Sequence, residues 1–387
     1  MSRTGRVPGA RQVIAAAGAL VPAVSEVRVA RPQRPLTDRW QQLPVAGRGT
    51  ALLGLSFRPL QAEALGLAPR AALRALLDHP FQLIRLAAYW DRMEPAPGVF
   101  DPSELDWQLD AAERAGKQVI ICLGPVKAFG YPEFFVPVHH LPRPLPEGSL
   151  VTPGTHPALL RAGTGFITRV VSRYRDRPCV AAWQVEHDAV DPLGVEHSWR
   201  LSVSWAAAEV AAVRAADPGR PVLMNGFLPT SALVRVSQWW RSRDQGDSLV
   251  AARQLADIVG ADFYPRHALV RAGSRTVYLD GSRRPWQQRG WRQVLAWAAA
   301  PGRRVMIAEG QAEPWEAVTV PPSPPGSGMY SCLPEHVIGN YNQAMRSCDP
   351  APAPWAYLFW GAEYWLLRQR QGDPRYLSAF ARVLAEA

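Results

Sequence analysis

Two acidic residues close a short apolar run in the middle of the chain, separated by one histidine. Glu186 and Asp188 flank His187 and follow the run that begins at residue 180. A run of this kind is typical of a buried parallel strand whose carboxyl end opens into a site. Because strand side chains alternate between faces, the pattern predicts that both carboxyl groups share one face and His187 the other. Such a strand end is where a site with chemistry is expected, although a polar strand end entering a solvated turn fits these residues equally well.

From residue 51 onward, short strand-like runs alternate with longer helical segments, which is typical of βα units around a parallel sheet. Predicted strands cover 51–57, 82–88, 117–123, 180–186, 221–225, 258–263, 303–309 and 354–360. Predicted helices cover 70–77, 102–115, 158–175, 197–216, 231–253, 286–300, 335–346 and 375–385. Eight such repeats predict a single-domain α/β protein, a (β/α)8 TIM barrel over residues 48–387. A doubly wound open sheet is the main alternative, but its Gly-rich nucleotide-binding turn is not found in the sequence.

The predicted strand ends are rich in residues that could bind or react. In a barrel of this kind, the loops after the carboxyl ends of the strands build the active site. Carboxylates, two cations, an amide and aromatic side chains lie at or just after these ends, at Arg85, Trp90, Lys127, Glu133, Glu186, Asp188, Asn225, Asp262, Tyr264, Glu309, Trp360 and Glu363. Their concentration at one predicted end favours a functional site there.

Composition and charge indicate which classes of ligand the chain could bind. The chain has 387 residues and a formal net charge of +10, but its basic residues are scattered rather than grouped with aromatics, which argues against nucleic-acid binding. Its 15 Trp and 10 Tyr favour flat stacking surfaces. The four cysteines show neither a CxxC pair nor a zinc spacing. The adjacent His139 and His140 lie in a Pro-rich loop without a third ligand at recognisable spacing, so no metal site is predicted.

Residues 1–47 are predicted to be a leader followed by a Pro/Arg-rich linker. Arg3, Arg6 and Arg11 precede an uncharged run at 13–24, which is the order of the basic and apolar regions of a secretory signal. The run contains Pro22, no clear cleavage site follows, and it is too short to span a bilayer. A cytoplasmic location is therefore favoured over export, and no stable membrane insertion is expected.

Several segments carry a family resemblance. They include the phrase Glu-Pro-x-x-Gly-x-Phe-Asp at 94–101 and residues 84–86, 89–93, 183–186, 305–315 and 359–365. With these segments, the chain resembles the retaining glycoside hydrolases of the large (β/α)8 clan that holds β-galactosidases and cellulase-like enzymes. The resemblance runs in order from about residue 50 to the C-terminus. It implies a carbohydrate substrate, hydrolysis of β-glycosidic bonds in an oligo- or polysaccharide, and no cofactor.

Retaining glycoside hydrolysis needs two carboxyl groups with different tasks. One stays protonated and donates to the leaving oxygen, while the other stays ionised and attacks the anomeric carbon, at a separation of about 5 to 5.5 Å. The clan supplies them from strands four and seven. The resemblance therefore implies that Glu309 is the nucleophile, and a strand-end carboxylate paired with Arg85 is the structural alternative.

The acid/base position departs from the clan. Asn-Glu is usual after strand four, whereas this chain has His187 and Asp188. An Asp carboxyl lies about an ångström further back than a Glu carboxyl, and such a displacement can cost on the order of 100-fold in rate. Three interpretations stay open. Asp188 serves as the acid in a re-spaced pocket, Glu186 serves from deeper in the barrel, or hydrolysis has been lost and carbohydrate binding retained.

Further roles follow from the resemblance. It implies that Arg85 lies under the nucleophile, that Tyr264 hydrogen-bonds to it and that Trp360 stacks on the sugar. Buried ion-pair and core roles are the alternatives. The remaining predicted substrate-binding residues are Trp90, Lys127, Glu133, His187, Asn225 and Glu363. Trp90 would extend the stacking surface, and Lys127, Glu133 and Glu363 could each instead be a solvated loop charge.

Overall fold

A computed structural model describes most of the chain. The described residues are 25–30, 38–130, 134–143, 145–146, 148–190, 199–229, 231–236, 246–273, 275–282, 285–298, 300–314, 330–346, 348 and 353–387. Among the helices in these ranges, none is both long enough and apolar enough to cross a bilayer.

Eight parallel strands close into a barrel, which confirms the predicted (β/α)8 fold. In chain order they are β1 Leu52–Ser56, β2 Leu83–Ala87, β3 Gln118–Cys122, β4 Val180–Gln184, β5 Val222–Leu228, β6 Ile258–Phe263, β7 Arg304–Gln311 and β8 Ala356–Trp360. The barrel closes where β8 pairs in parallel with β1, for example at Ala356 and Leu52. All eight lie at or near their predicted positions, because each is a short apolar run bounded by turn residues.

Helices follow the strands around the outside. They are α1 Pro59–Ala64, α2 Pro69–Leu77, α3 Trp90–Met93, α4 Ser103–Arg114, α5 Pro157–Tyr174, α6 Val203–Ala216, α7 Ser248–Leu255, α8 Pro285–Trp297, α9 Pro334–Arg346, α10 Ala362–Arg370 and α11 Arg375–Glu386. Helix α6 begins later than predicted because Ser202 caps it by accepting a hydrogen bond from the Trp205 amide. Helix α7 begins in the same way, with the Asp247 side chain accepting from the Val250 amide.

A small antiparallel sheet outside the barrel was not predicted. Strands Arg266–Ala272 and Arg275–Asp280 form a hairpin after β6, and Val27–Ala30 adds a third strand. Val27–Ala30 belongs to the segment predicted as leader and linker. Residues 38–47 of that segment also contact the barrel, since the Asn342 side chain bonds to the Ala46 amide and the Pro44 carbonyl at 2.7 Å each.

The barrel interior is layered. Its lower layer is apolar and consists of Leu83, Ile120, Ala182, Leu223, Ile258, Met306, Ala356 and Leu358. Side chains two residues further along a strand return to the same face. On β2, β4, β5 and β8 these next residues are Arg85, Gln184, Asn225 and Trp360. An apolar floor thus carries a polar layer at the carboxyl end of the barrel, where the site was predicted.

Candidate active site

Glu309 is the centre of the polar layer. Its Oε1 accepts hydrogen bonds from Arg85 Nη2 at 2.5 Å and His187 Nε2 at 2.9 Å, and its Oε2 accepts one from the Tyr264 hydroxyl at 2.8 Å. The pairing of β6 with β7 shifts register just before Glu309. Such an irregularity re-aims a strand side chain. Both oxygens of the buried carboxylate are therefore held in place by donors.

The surroundings of Glu309 favour its ionised form. Burial alone would raise the pKa of its carboxyl group, but the charges and hydrogen bonds of His187 and Arg85 lower that pKa to about 2. The carboxylate is consequently ionised throughout the neutral range.

Arg85 of β2 is fully buried and forms an ion pair with this carboxylate at 2.5 Å. Its guanidinium also donates to Ser56 Oγ at 2.9 Å and to Gln184 Oε1 at 3.4 Å. The guanidinium stacks 4.2 Å from the centroid of the Phe129 ring. These contacts fix the cation from several sides, so it can hold Glu309 without reorganising.

Asp262 lies beside Glu309, and its surroundings favour the protonated form of its carboxyl group. Burial raises the pKa of its carboxyl group well above the usual range, and the negative charges of Glu309 and Asp188 raise it further. Asn225 Nδ2 donates to Asp262 Oδ2 at 2.6 Å, and Gln184 Nε2 donates to Asn225 Oδ1 at 2.9 Å. Oxygens of Asp262 and Glu309 lie within 4.8 Å of each other and of a His187 nitrogen. A protonated acid and an ionised carboxylate thus lie side by side.

Asp188 joins this pair from the loop after β4. Its carboxyl group is hydrogen-bonded to that of Asp262. Two carboxyl groups can hydrogen-bond only when one carries a proton. Lys127 Nζ donates to the Asp188 main-chain oxygen at 2.6 Å and fixes the loop. Asp188 and Asp262 therefore form an acidic pair, in which Asp262 is the member whose raised pKa favours the proton.

The predicted orientation of Glu186 was wrong. Strand β4 ends at Gln184, and Glu186 and Asp188 have φ angles of +54° and +44°, so strand alternation does not continue. His187 consequently points to Glu309. Glu186 points away from it, and its oxygens accept bonds from the Val126 amide at 3.1 Å and the Lys127 amide at 2.5 Å.

Glu186 belongs to a second buried acidic pair, outside the barrel. It hydrogen-bonds to Glu209 of α6, whose Oε1 accepts from Trp205 Nε1 at 2.7 Å. Burial raises the pKa of Glu186 to about 7, and burial and the neighbouring Glu186 raise that of Glu209 well above its usual value. A raised pKa would suit an acid catalyst, but this carboxyl group is fully buried behind the loop that carries His187.

Several predicted substrate-binding residues have other roles. Trp90 is fully buried, with its ring stacked on His140 and Phe166, so it offers no stacking surface to a sugar. Lys127 is buried and bonds to the Asp188 loop, rather than being a solvated charge or a sugar ligand. Glu363 is buried in an ion pair with Arg58 at 2.6 Å. Glu133 lies outside the described residues.

Trp360 forms one wall of the site. Its ring is parallel to that of His187, with an interplanar angle of 4° and centroids 6.5 Å apart. The Arg58 guanidinium lies 4.2 Å from its centroid, and this cation pairs with Glu313 at 2.9 Å as well as with Glu363. Sequence reasoning missed Arg58 and Glu313, and it noted Asp262 without assigning it a role. Their positions directly after β1, after β7 and at the end of β6 were the available signal.

Among the residues that the structure describes, two groups of side chains could hold a metal ion. One consists of His187, Asp262 and Glu309. There, Arg85 already balances the charge of Glu309, and the raised pKa of Asp262 favours a proton over a metal ion. The other group, Glu94, His139 and His140, lies in the loops and is considered below.

No protein-family model matches the sequence, and no curated protein matches it. Solved structures do match. A β-galactosidase from Rahnella sp. R3 aligns with a TM-score of 0.53 at 12% identity, over 88% of this chain and 56% of that one. Native xylanase 10B from Thermotoga maritima aligns with a TM-score of 0.51 at 15% identity, over 87% and 95%. A GH5_18 protein from Streptomyces cattleya, in complex with GlcNAc, aligns with a TM-score of 0.50 at 15% identity, over 80% and 70%. The chain is thus similar in fold to glycoside hydrolase barrels.

Proposed function

We propose that the chain is a retaining glycoside hydrolase that cleaves β-glycosidic bonds of an oligo- or polysaccharide, with Glu309 as the nucleophile. One observation carries the proposal. Glu309 and Asp262 have oxygens within 4.8 Å of each other, and their environments shift the two pKa values in opposite directions. Neighbouring carboxyl groups with divergent pKa values are suited to nucleophile and acid roles.

In the first step, a Glu309 oxygen bonds to the anomeric carbon while the bond from that carbon to the leaving oxygen breaks. The acidic pair of Asp188 and Asp262 supplies the proton that the leaving oxygen takes up. Asp188 is the member that delivers it, because Asp188 lies on the loop and Asp262 is deeper, on β6. In the second step, the pair takes a proton from water, and the resulting hydroxide oxygen displaces Glu309 from the anomeric carbon.

Substitutions in the usual motif change how the nucleophile is held. His187 occupies the position of the usual Asn and donates to Glu309 Oε1 together with Arg85. Tyr264 holds the other oxygen. When the covalent bond forms, the carboxylate loses its charge, and these donors become available to stabilise Glu309 as it departs in the second step. Trp360 supplies the apolar wall for a sugar ring.

A catalytically impaired carbohydrate-binding barrel is the second candidate. The arrangement around Glu309 favours it, since two cationic or proton-donating groups contact one oxygen and lower the carboxylate pKa to about 2. A carboxylate stabilised so strongly is a weaker nucleophile. Carbohydrate binding would then rest on Trp360 and the polar layer.

Covalent trapping tests the proposal. The purified chain is incubated with a panel of 2-deoxy-2-fluoro glycosides that carry good leaving groups, and intact mass and peptide mapping follow. An adduct on Glu309, absent from Glu309→Gln, supports a retaining hydrolase. If no sugar labels the chain and none is hydrolysed, the catalytic proposal is overturned. Saturable binding of the same sugars in that case supports the second candidate.

A further inference from the structure

Two adjacent histidines and one glutamate converge where the loops after β2 and β3 meet. Glu94 Oε1 lies 3.0 Å from His140 Nε2 and 3.2 Å from His139 Nε2. We propose that Glu94, His139 and His140 bind one divalent transition-metal ion of the zinc type, which fastens the loop after β3 to the loop after β2. This site is separate from the proposed hydrolytic site and does not depend on it. It revises the prediction that the adjacent histidines bind no metal.

The donor set and spacing fit such an ion. Zinc binds imidazole nitrogen at about 2.0 to 2.1 Å and carboxylate oxygen at about 2.0 to 2.2 Å, so tetrahedral ligand atoms lie about 3.3 to 3.5 Å apart. All three ligand atoms lie within 4.8 Å of one another. Glu94 Oε1 lies 3.0 and 3.2 Å from the two histidine nitrogens, so it needs to move away from them by only a few tenths of an ångström to reach that spacing. Two imidazoles and one carboxylate leave the fourth position for water.

Supporting contacts orient these ligands. Trp90 Nε1 donates to Glu94 Oε2 at 2.7 Å, which turns Oε1 toward both histidines. The Trp90 ring stacks on that of His140, with centroids 4.8 Å apart and an interplanar angle of 28°. Trp90 itself is fully buried and packs on Phe166 of α5. Partners of this kind around a metal ligand fix its orientation and raise its affinity.

The site is accessible and joins two loops. The three side chains are 15% to 26% exposed, so an ion and a water molecule can reach them. The Asp91 amide donates to the Phe135 carbonyl at 2.8 Å and already holds the loops together. A metal ion would add a second connection a few residues further on. Without a metal, the same side chains form a hydrogen-bonded cluster, which is the alternative that an experiment must exclude.

Metal titration of the full chain distinguishes a metal site from a hydrogen-bonded cluster without metal. After chelator treatment and dialysis, the chain is titrated with Zn²⁺ by calorimetry and with Co²⁺ by visible absorption. We expect one ion per chain and the strong absorption of four-coordinate cobalt. Glu94→Gln, His139→Ala and His140→Ala should each weaken binding about tenfold or more. Trp90→Phe keeps the ring and removes the indole N–H, and it should weaken binding by a smaller factor.

Two controls make the assignment specific. His156→Ala removes a histidine outside the cluster and should bind like the wild type. His187→Ala removes the histidine of the barrel group and should also retain the ion. Zn²⁺ should raise the unfolding temperature of the wild type but not that of Glu94→Gln, provided that both show the same far-UV circular dichroism. Undetectable binding, unchanged binding in all three ligand variants, or loss of binding only in His187→Ala would overturn the proposal.

Discussion

Asp262 is the register partner of Glu309 across the pairing of β6 with β7, and the two carboxyl groups have opposite protonation preferences. The difference has a local cause. Arg85, His187 and Tyr264 all direct donors at Glu309, whereas Asp262 receives one amide hydrogen bond from Asn225 and faces two negative charges. The proposed chemistry depends on this difference between the protonation preferences of Glu309 and Asp262.

Replacing Glu309 by Gln should abolish turnover. The amide keeps the shape and one acceptor but cannot bond to the anomeric carbon, so kcat on an activated aryl glycoside should fall on the order of 10⁴-fold or more. Glu63→Gln changes an exposed glutamate of α1 and should leave kcat unchanged. Substantial activity in Glu309→Gln would mean that another carboxylate is the nucleophile.

Asp188→Asn should affect substrates according to their leaving groups. General acid catalysis contributes about 10² to 10⁴-fold, so hydrolysis of a glycoside with a poor leaving group should fall by that factor. Hydrolysis of a dinitrophenyl glycoside should fall much less in its first step, because that leaving group needs no proton. Equal losses on both substrates would contradict an acid role for Asp188.

Asp262→Asn should move the alkaline limb of the pH profile of kcat/KM. The raised pKa of Asp262 keeps the acidic pair protonated as pH rises, so in the wild type activity is lost only when pH passes that raised value. With the amide, Asp188 loses its carboxyl partner, and the alkaline limb should move to lower pH by about one unit or more. An unchanged limb would show that Asp262 does not control the acid.

His187→Asn places an uncharged amide beside Glu309 and should move the acidic limb instead. In the wild type, Glu309 has a pKa of about 2, so kcat/KM should stay constant as pH falls until close to that value. The amide can still donate a hydrogen bond but carries no charge, so loss of the His187 charge should raise the Glu309 pKa and move this limb upward by about one pH unit. His156→Asn, at a position outside the site, should leave the profile in place. A limb that stays at the wild-type pH would mean that Arg85 alone holds the carboxylate ionised.

The strands could be predicted from the sequence because each is a short apolar run between turn residues, and the strand ends then located the polar layer. The directions in which the side chains of Glu186 and His187 point could not be predicted. The period-two rule holds only while the backbone stays extended, and positive φ angles at Glu186 and Asp188 end it. The role of Asp262 was likewise hidden, since its protonation depends on its burial in the barrel and on a charge at Glu309, 47 residues away along the chain. The Glu94 cluster joins two separate loops, so residue spacing did not reveal it.

Glu209→Gln tests the buried acidic pair outside the barrel through stability. Burial raises the pKa of Glu186 from an ordinary value of 4.5 to about 7, so between these values the folded chain binds more protons than the unfolded chain. The contribution of Glu186 to stability should therefore be fully present below pH 4.5 and decline as pH rises toward 7, and one such proton is worth about 1.4 kcal/mol per pH unit.

The variant should remove the part of the pH dependence that belongs to Glu209, because burial and Glu186 raise the pKa of its carboxyl group well above the ordinary value. Its amide keeps the acceptor for Trp205 Nε1 and donates an N–H to Glu186, whose own pKa stays raised by burial. In urea unfolding, the free energy of unfolding of Glu209→Gln should rise relative to that of the wild type between pH 5 and pH 8. Glu63→Gln should follow the wild type at every pH, and the same course for Glu209→Gln would mean that the pair does not share a proton.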